Sequence, residues 1–352
     1  MMAQTRSSSY DEKLEQFYGR SPLAQETPRD AFSGGGDWSE APNFGYGILN
    51  GQFVKFTTEP TSVPSSAGMQ FEGYDFVSAE IVAFNSTTDY IYAYASDGRF
   101  CLIDPQANEI TVLGNGNPLT ELAYDVTTKT MYGLRYGVLY TVNMENGSNA
   151  PVNEMLTGSN NWVALAIDMD GNMYGIINTF SDVNADMYKI NTSDWNSIKV
   201  GTVPYRTQYA QSMSFDRDNG TLYWWQASTA GFNFLKVNPA NAACTALWPN
   251  NGYQVSGMFF KYSPITYPIT YETVENGTFT GPAFAAENDV VEVTVTPDYG
   301  YRLGTLTWNG NEIDVEAGEP YTFTMVDVPV TVSGSFLLSL HNIIVLDPKD
   351  GT

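Results

Sequence analysis

One short pattern recurs four times along this chain and limits the folds open to it: an apolar strand, a polar turn, and a second strand in which an apolar residue precedes a tyrosine. The first copy is Ile81-Val82-Ala83-Phe84, the turn Asn85 to Asp89, then Tyr90-Ile91-Tyr92. Copies follow as Leu122-Ala123-Tyr124-Asp125 with Thr130-Met131-Tyr132-Gly133, as Leu165-Ala166-Ile167-Asp168 with Asn172-Met173-Tyr174-Gly175, and as Met213-Ser214-Phe215-Asp216 with Thr221-Leu222-Tyr223-Trp224. The repeated tyrosines at 92, 132, 174 and 223 stand 40, 42 and 49 residues apart. A spacing of this size marks an array of supersecondary units. Within each unit the apolar period is two, which is the period of a strand and excludes a solenoid of helical repeats.

Each copy continues into a third strand that ends in Asp or Asn: Cys101-Leu102-Ile103-Asp104, Tyr140-Thr141-Val142-Asn143, Tyr188-Lys189-Ile190-Asn191 and Leu235-Lys236-Val237-Asn238. A weaker fourth strand follows, as in Ile110-Thr111-Val112-Leu113 and Ile198-Lys199-Val200. Four strands in roughly 40–50 residues is the size of a propeller blade. The ends of the array carry complementary halves. Phe44-Gly45-Tyr46-Gly47-Ile48-Leu49 and Phe53-Val54-Lys55-Phe56 match second and third strands with no first strand before them. Gly257-Met258-Phe259-Phe260 matches a first strand with no second strand after it. Joined, they make one more blade and remove the exposed edges of an open array. The reading is all-β: a β-propeller of five blades, with six or seven as alternatives.

These units resemble the diverse β-propellers of the quinoprotein and YVTN type found in exported bacterial surface proteins, and the resemblance carries structure without an activity. Residues 1–37, polar and charged and ending in Ser33-Gly34-Gly35-Gly36, read as a flexible N-terminal arm with one short helix around Tyr10–Tyr18, and the propeller spans 38–264.

A second module occupies 265–337, followed by a tail at 338–352. It runs through Tyr267-Pro268-Ile269-Thr270, Asn276-Gly277-Thr278, Val291-Glu292-Val293-Thr294-Val295 and Thr296-Pro297-Asp298-Tyr299-Gly300-Tyr301. It continues with Leu306-Thr307-Trp308-Asn309-Gly310, Tyr321-Thr322-Phe323-Thr324-Met325 and Val330-Thr331-Val332-Ser333-Gly334-Ser335-Phe336. This progression is similar, nearly end to end, to the internalin-type B-repeat (the Listeria-Bacteroides repeat) of bacterial surface proteins. The resemblance implies a small β-grasp-like spacer that is not itself an enzyme.

Charge and composition narrow the partners. Lys and Arg number 16 against 39 Asp and Glu, a formal charge of −23, so the surface repels phosphate backbones and anionic headgroups and a nucleic-acid role is excluded. Cys101 and Cys244 lie in different repeats, with no CxxC and no metal-ligand spacing, and are read as two small hydrophobes. The single histidine, His341, stands outside both repeat regions, which leaves the propeller without a histidine metal site or a Ser/His/Asp triad. No apolar run reaches membrane-spanning length. Met1-Met2-Ala3-Gln4 has the look of the last residues of an export signal, so the expectation is a start inside a longer exported precursor. The alternative is a cytoplasmic protein with a polar arm.

The candidate chemistry is sparse. Asp125, Asp168 and Asp216 share one repeat position, where a carboxylate accepts hydrogen bonds from turn amides in every blade. Asp168-Met169-Asp170-Gly171-Asn172 has the oxygen-rich look of a calcium loop but lacks a late bidentate acid, Thr179 standing at its twelfth position. Asp216-Arg217-Asp218-Asn219-Gly220 is weaker still, since its arginine competes for the carboxylates. No metal or cofactor is therefore expected. The segments leading into the first strands carry Glu80, Glu121, Gln211 and Gln254, only two of them acids, which is thin for the acid and base of a glycoside hydrolase. The same segments carry aromatics and amides, Asn160, Asn161, Trp162, Tyr209, Gln211, Tyr253 and Gln254, suited to stacking on and hydrogen-bonding a sugar or peptide at one mouth of the ring. The competing reading packs the aromatics between blades. Together these features predict a non-catalytic binding or adhesion protein, exported and surface-associated, with an extracellular glycan or protein ligand. A propeller glycoside hydrolase, or a purely architectural domain of a larger surface protein, are the alternatives.

Overall fold

The computed structural model describes residues 20–24, 38, 44–61, 63–152, 161–178, 184–316 and 318–339. The expected helix around Tyr10–Tyr18, His341 and Asn160 lie outside the described residues. The chain divides into two compact units, 1–83 with 89–262, and 84–88 with 263–352.

Among the described residues, the first unit holds five four-stranded antiparallel sheets. One is made of β1 (Phe44–Leu49), β2 (Gln52–Thr57) and β3 (Ser65–Ser66). The next holds β4 (Phe76–Ala83), β5 (Asp89–Ala95), β6 (Arg99–Asp104) and β7 (Glu109–Asn115). The third holds β8 (Glu121–Asp125), β9 (Thr130–Arg135), β10 (Val138–Val142) and β11 (Asn149–Pro151). The fourth holds β12 (Trp162–Ile167), β13 (Met173–Ile177), β14 (Ala185–Ile190) and β15 (Ser197–Val203). The fifth holds β16 (Ser212–Asp216), β17 (Thr221–Ser228), β18 (Gly231–Val237) and β19 (Cys244–Trp248). The last strand of the unit, β20 (Ser256–Phe260), joins the first sheet in the order β20-β1-β2-β3. Gly45 pairs with Phe260, Tyr46 with Phe259 and Ile48 with Ser256, so the two complementary halves read from the sequence do form one sheet. Strands β4, β8, β12, β16 and β20 neighbour one another in a closed cycle around the axis. The sheets are the blades of a β-propeller.

Burial explains why the strands differ in pattern. β8 and β12 are buried at every position, because both faces of an innermost strand pack against neighbouring sheets. The outermost strands β7 and β15 alternate exposed with half-buried positions, because one face meets water. The repeated Tyr-Gly at the end of the pattern has a packing cause. A Cβ on Gly175 would lie 2.5 Å from Trp162 Cζ3, and one on Gly133 2.6 Å from the Glu121 carbonyl. Only a residue without a side chain lets the second strand approach this closely.

The turn carboxylates act as read. Asp125 Oδ1 accepts from Thr127 N at 2.9 Å, and Asp168 Oδ1 from Asp170 N at 3.0 Å and Asn172 N at 2.8 Å. The third-strand ends repeat the device: Asp104, Asn143, Asn191 and Asn238 each accept a backbone N–H two residues on. Cys101 is buried and Cys244 half-buried, both as free thiols, and burial pushes each thiol up to about 11.

The second unit contains β21 (Thr266–Tyr271), β22 (Gly277–Thr280), β23 (Phe284–Ala286), β24 (Val290–Pro297), β25 (Tyr301–Trp308), β26 (Asn311–Glu312), β27 (Tyr321–Thr324) and β28 (Val330–Leu338). They form a five-stranded sheet, β23-β21-β28-β25-β26, with β21 and β28 parallel, and a three-stranded sheet, β22-β24-β27. Both sheets feed one core, in which Phe279 stacks on Phe336 and Trp308 on Phe323. No helix lies among the described residues of this unit, so the expected β-grasp-like module is built from sheet against sheet.

Candidate functional site

Four antiparallel strands return the chain to the end at which it entered, so every innermost strand is entered from the same end of the ring. That end, reached by the connections into β4, β8, β12, β16 and β20, is the loop end. Most of the residues expected to line a binding mouth come from these connections.

The opposite end is closed by a polar clasp that crosses the axis. Arg217 follows β16, is 6% exposed, and reaches each of the other four sheets. Its Nη2 donates to Tyr124 O at 2.8 Å and pairs with Glu80 Oε2 at 3.4 Å. Its Nε donates to Ile167 O at 3.3 Å, and its guanidinium lies over the Tyr262 ring at 4.7 Å. Glu80 also accepts from Ile81 N and Tyr124 N. Toward the loop end, where β8 and β16 begin, a second set of bonds is built on Glu121, whose Oε1 accepts from Ser212 Oγ and Met213 N, each at 2.9 Å. Ser212 Oγ in turn accepts from Met258 N at 2.7 Å. Burial raises the Glu80 carboxyl above its usual range, with Arg217 opposing the shift. Burial raises Glu121 further, its bonds to Met213 and Ser212 opposing and the charge of Glu80 adding. Glu121 Oε2 and Arg217 Nη1 are buried with no hydrogen-bond partner among the described residues.

This arrangement answers the expectation of channel acids. Glu80 is not in a segment leading to the first strand, because β4 starts at Phe76, five residues before Ile81. Glu80 is an interior residue of β4 and Glu121 the first residue of β8, and both are engaged between blades. Arg217, expected to compete for the carboxylates of its own turn, points to the axis, while Asp216 takes Asn219 Nδ2 at 2.6 Å. Among the described residues no group of three or more His, Cys, Asp or Glu could hold a metal ion.

The expected mouth residues do not form one cluster. Trp162 is 1% exposed, opens β12 itself, covers Gly175 and meets Tyr188 edge-on at 5.9 Å. The expectation that it lines the mouth is thus corrected: it packs between strands. Asn161 sits beside it, half-buried, its carbonyl accepting from Asn178 N. Gln211 is buried and accepts from Trp224 Nε1 at 3.1 Å. Tyr253 is half-buried at the loop end against Trp248, ring centroids 5.4 Å apart.

Tyr209 and Gln254 do come together, around a segment expected to be free. Ser21 N donates to Gln254 Oε1 at 2.6 Å, and Gln254 is held by its own Nε2 on Ala210 O at 2.8 Å. Ala24 is buried in a cluster with Tyr209, Ala227 and Phe232. Tyr209 adopts a left-handed backbone, φ 70°. For a bulky residue that conformation is an outlier of the kind that concentrates at binding clamps. The sequence signal was the loop segment itself. The arm that fills it carried none.

Comparison with known proteins bears on the second unit. The family model of the divergent InlB B-repeat domain matches residues 267–339. The second unit carries a B-repeat domain. Of the solved structures similar to the chain, one is a chain of a nidogen/laminin complex, 11% identical, covering 84% of this chain and 99% of that one at TM-score 0.43. Another is TolB from Acinetobacter baumannii, 9% identical, covering 86% and 67% at TM-score 0.38. A third is a putative TolB from Agrobacterium tumefaciens, 8% identical, covering 62% and 87% at TM-score 0.39. Comparison with the curated proteins gives no match. The B-repeat domain thus accounts for the C-terminal sheets, and the propeller stands on its own geometry.

Proposed function

We propose that this chain is a non-catalytic binding or adhesion protein, exported and surface-associated, whose propeller presents its loop end to an extracellular glycan or protein. The B-repeat domain is the spacer. The observation that carries the reading is the use of Glu80 and Glu121. Both acids on the axis are buried and spent on bonds between blades, where a hydrolase needs an acid and a base that reach a substrate. The loop end offers half-buried groups instead, Tyr253 against Trp248 and Tyr74 under the Arg99 guanidinium at 3.8 Å. Flat aromatic faces beside such donors suit sugar rings and peptide planes.

The test is a screen of the full chain on glycan and peptide arrays, repeated with Tyr253→Ala. Retained ligands whose binding falls at least tenfold in the variant, at unchanged melting temperature, support the loop end. Ligands bound equally by both chains place the face elsewhere.

A further inference from the structure

We infer that the loop end carries a peptide-docking site between the fifth sheet and the closing strand, and that residues 20–24 of this chain are its occupant in cis. The ligand class is a peptide turn whose first residue offers its backbone N–H and whose fourth carries a small apolar side chain, as Ser21 and Ala24 do here, with Ala24 N donating to Ser21 O at 3.1 Å. This rests on the reading of the loop end as a binding face. It names one partner chemistry there.

Four observations carry it. First, the contacts are those of a ligand in a site. The Ser21 backbone N–H is read by a side chain, Gln254, which Ala210 O already fixes in orientation. A backbone donor met by a prearranged amide is sequence-independent recognition, as in other modes of peptide capture. Second, size is selected three residues on. Ala24 enters a cluster formed by Tyr209, Ala227 and Phe232, while Leu23 between them is 60% exposed. A larger or charged residue at position 24 would have to displace the aromatic walls or be desolvated without a partner.

Third, the segment leading into Tyr209 holds buried polar groups that the ring does not use. Thr207 Oγ1 and Gln208 Oε1 are buried with no hydrogen-bond partner among the described residues. They precede Tyr209 directly, and such groups ordinarily find partners in a folded protein. Fourth, Tyr209 is held with φ 70° between them and Gln211. The surrounding backbone fixes that strained residue, with Gln208 N donating to Ala227 O. Strain maintained beside unpaired polar groups and a filled apolar pocket marks a preformed clamp.

A cis occupant makes the site self-blocked. Binding in trans competes with a tethered segment at high effective concentration, so a free peptide binds weakly until the arm is displaced. The pathway to binding is release of the arm, not remodelling of the ring.

The experiment uses the full chain carrying Ala24→Asp and a fluorescent peptide spanning residues 18–27 of the parent sequence, followed by polarisation. The expected result is that the peptide binds the Ala24→Asp chain at least tenfold more tightly than the parent chain. Adding Gln254→Ala to Ala24→Asp then removes the gain, and a peptide carrying the same Ala24→Asp change does not bind. Where Ala24→Asp perturbs folding by near-ultraviolet circular dichroism, Ser21→Pro replaces it, since it deletes the N–H donor without charging the pocket. Equal binding to parent and variant, or a folded variant that does not bind, overturns the proposal. So does binding indifferent to Gln254. The array screen reports on the loop-end ligand through Tyr253, so the peptide site and the wider binding reading fail separately.

Discussion

At the level of single residues the chain separates charge that holds the ring from the groups that the proposed function assigns to recognition. Arg217 neutralises Glu80 and bonds to two carbonyls of other sheets, so removing it leaves a buried carboxylate without its cation. Breaking one half of such a pair costs about 3–5 kcal/mol. Arg217→Met is therefore expected to lower unfolding stability by about that amount in denaturant titrations. Glu80→Gln added to it should restore part of the loss, because the uncompensated charge goes with it. Glu121 gives a pH dependence of definite sign. Its carboxyl is raised by burial above the ordinary 4.5, so the folded state binds its proton more tightly than the unfolded state. Its contribution to stability is fullest below 4.5 and is lost as pH rises toward the folded value. Glu121→Gln mimics the protonated acid and keeps an oxygen for Ser212 and Met213. The variant should melt higher than the parent at pH 7.5, with the difference closing as pH approaches 4.5. A variant that melts lower at both pH values contradicts the neutral-acid reading.

At the level of elements the repeat made most of the fold legible. The apolar first strands fell where the pattern put them because innermost strands, buried on two faces, must be apolar at nearly every position. The missing first strand of Tyr46 was found in Met258–Phe260 because an unfinished sheet at each chain end is costly unless the two meet. Deleting 257–263 should therefore expose the edge of β1 and lower the melting temperature sharply; a deletion that melts like the parent removes the shared sheet from the account. Less was legible in the site. Trp162, Tyr209 and Tyr253 were expected at one mouth of the ring because each stands five to seven residues before an innermost-strand residue (Ile167, Phe215 and Phe260), but β12 begins at Trp162 whereas β16 begins at Ser212 and β20 at Ser256. A shift in register between Trp162 and Ala164 adds to the mismatch. Equal spacing in sequence is equal height in a ring only when strands start together. Arg217 was visible as a residue and hidden as a partner, since its hydrogen-bond partners lie 50 to 137 residues away. Ser21 and Ala24 sit in a polar stretch with no period to announce them.

At the level of the whole molecule, a chain of charge −23 combines a ring of sheets fastened across its axis with a B-repeat domain. Among the described residues no helix is long and apolar enough to cross a membrane. Charge of this sign keeps like-charged polymers away and leaves neutral glycans and peptides as suitable ligands for the loop end. In the proposed function the axis carboxylates serve the fold and the loop end serves binding. The most direct test follows array-retained ligands through prolonged incubation with the parent chain, Tyr253→Ala and Glu121→Gln, reading retention and cleavage together. The account predicts intact ligand, binding lost in Tyr253→Ala and binding kept in Glu121→Gln. Cleavage of any retained glycan by the parent that disappears in Glu121→Gln would contradict it.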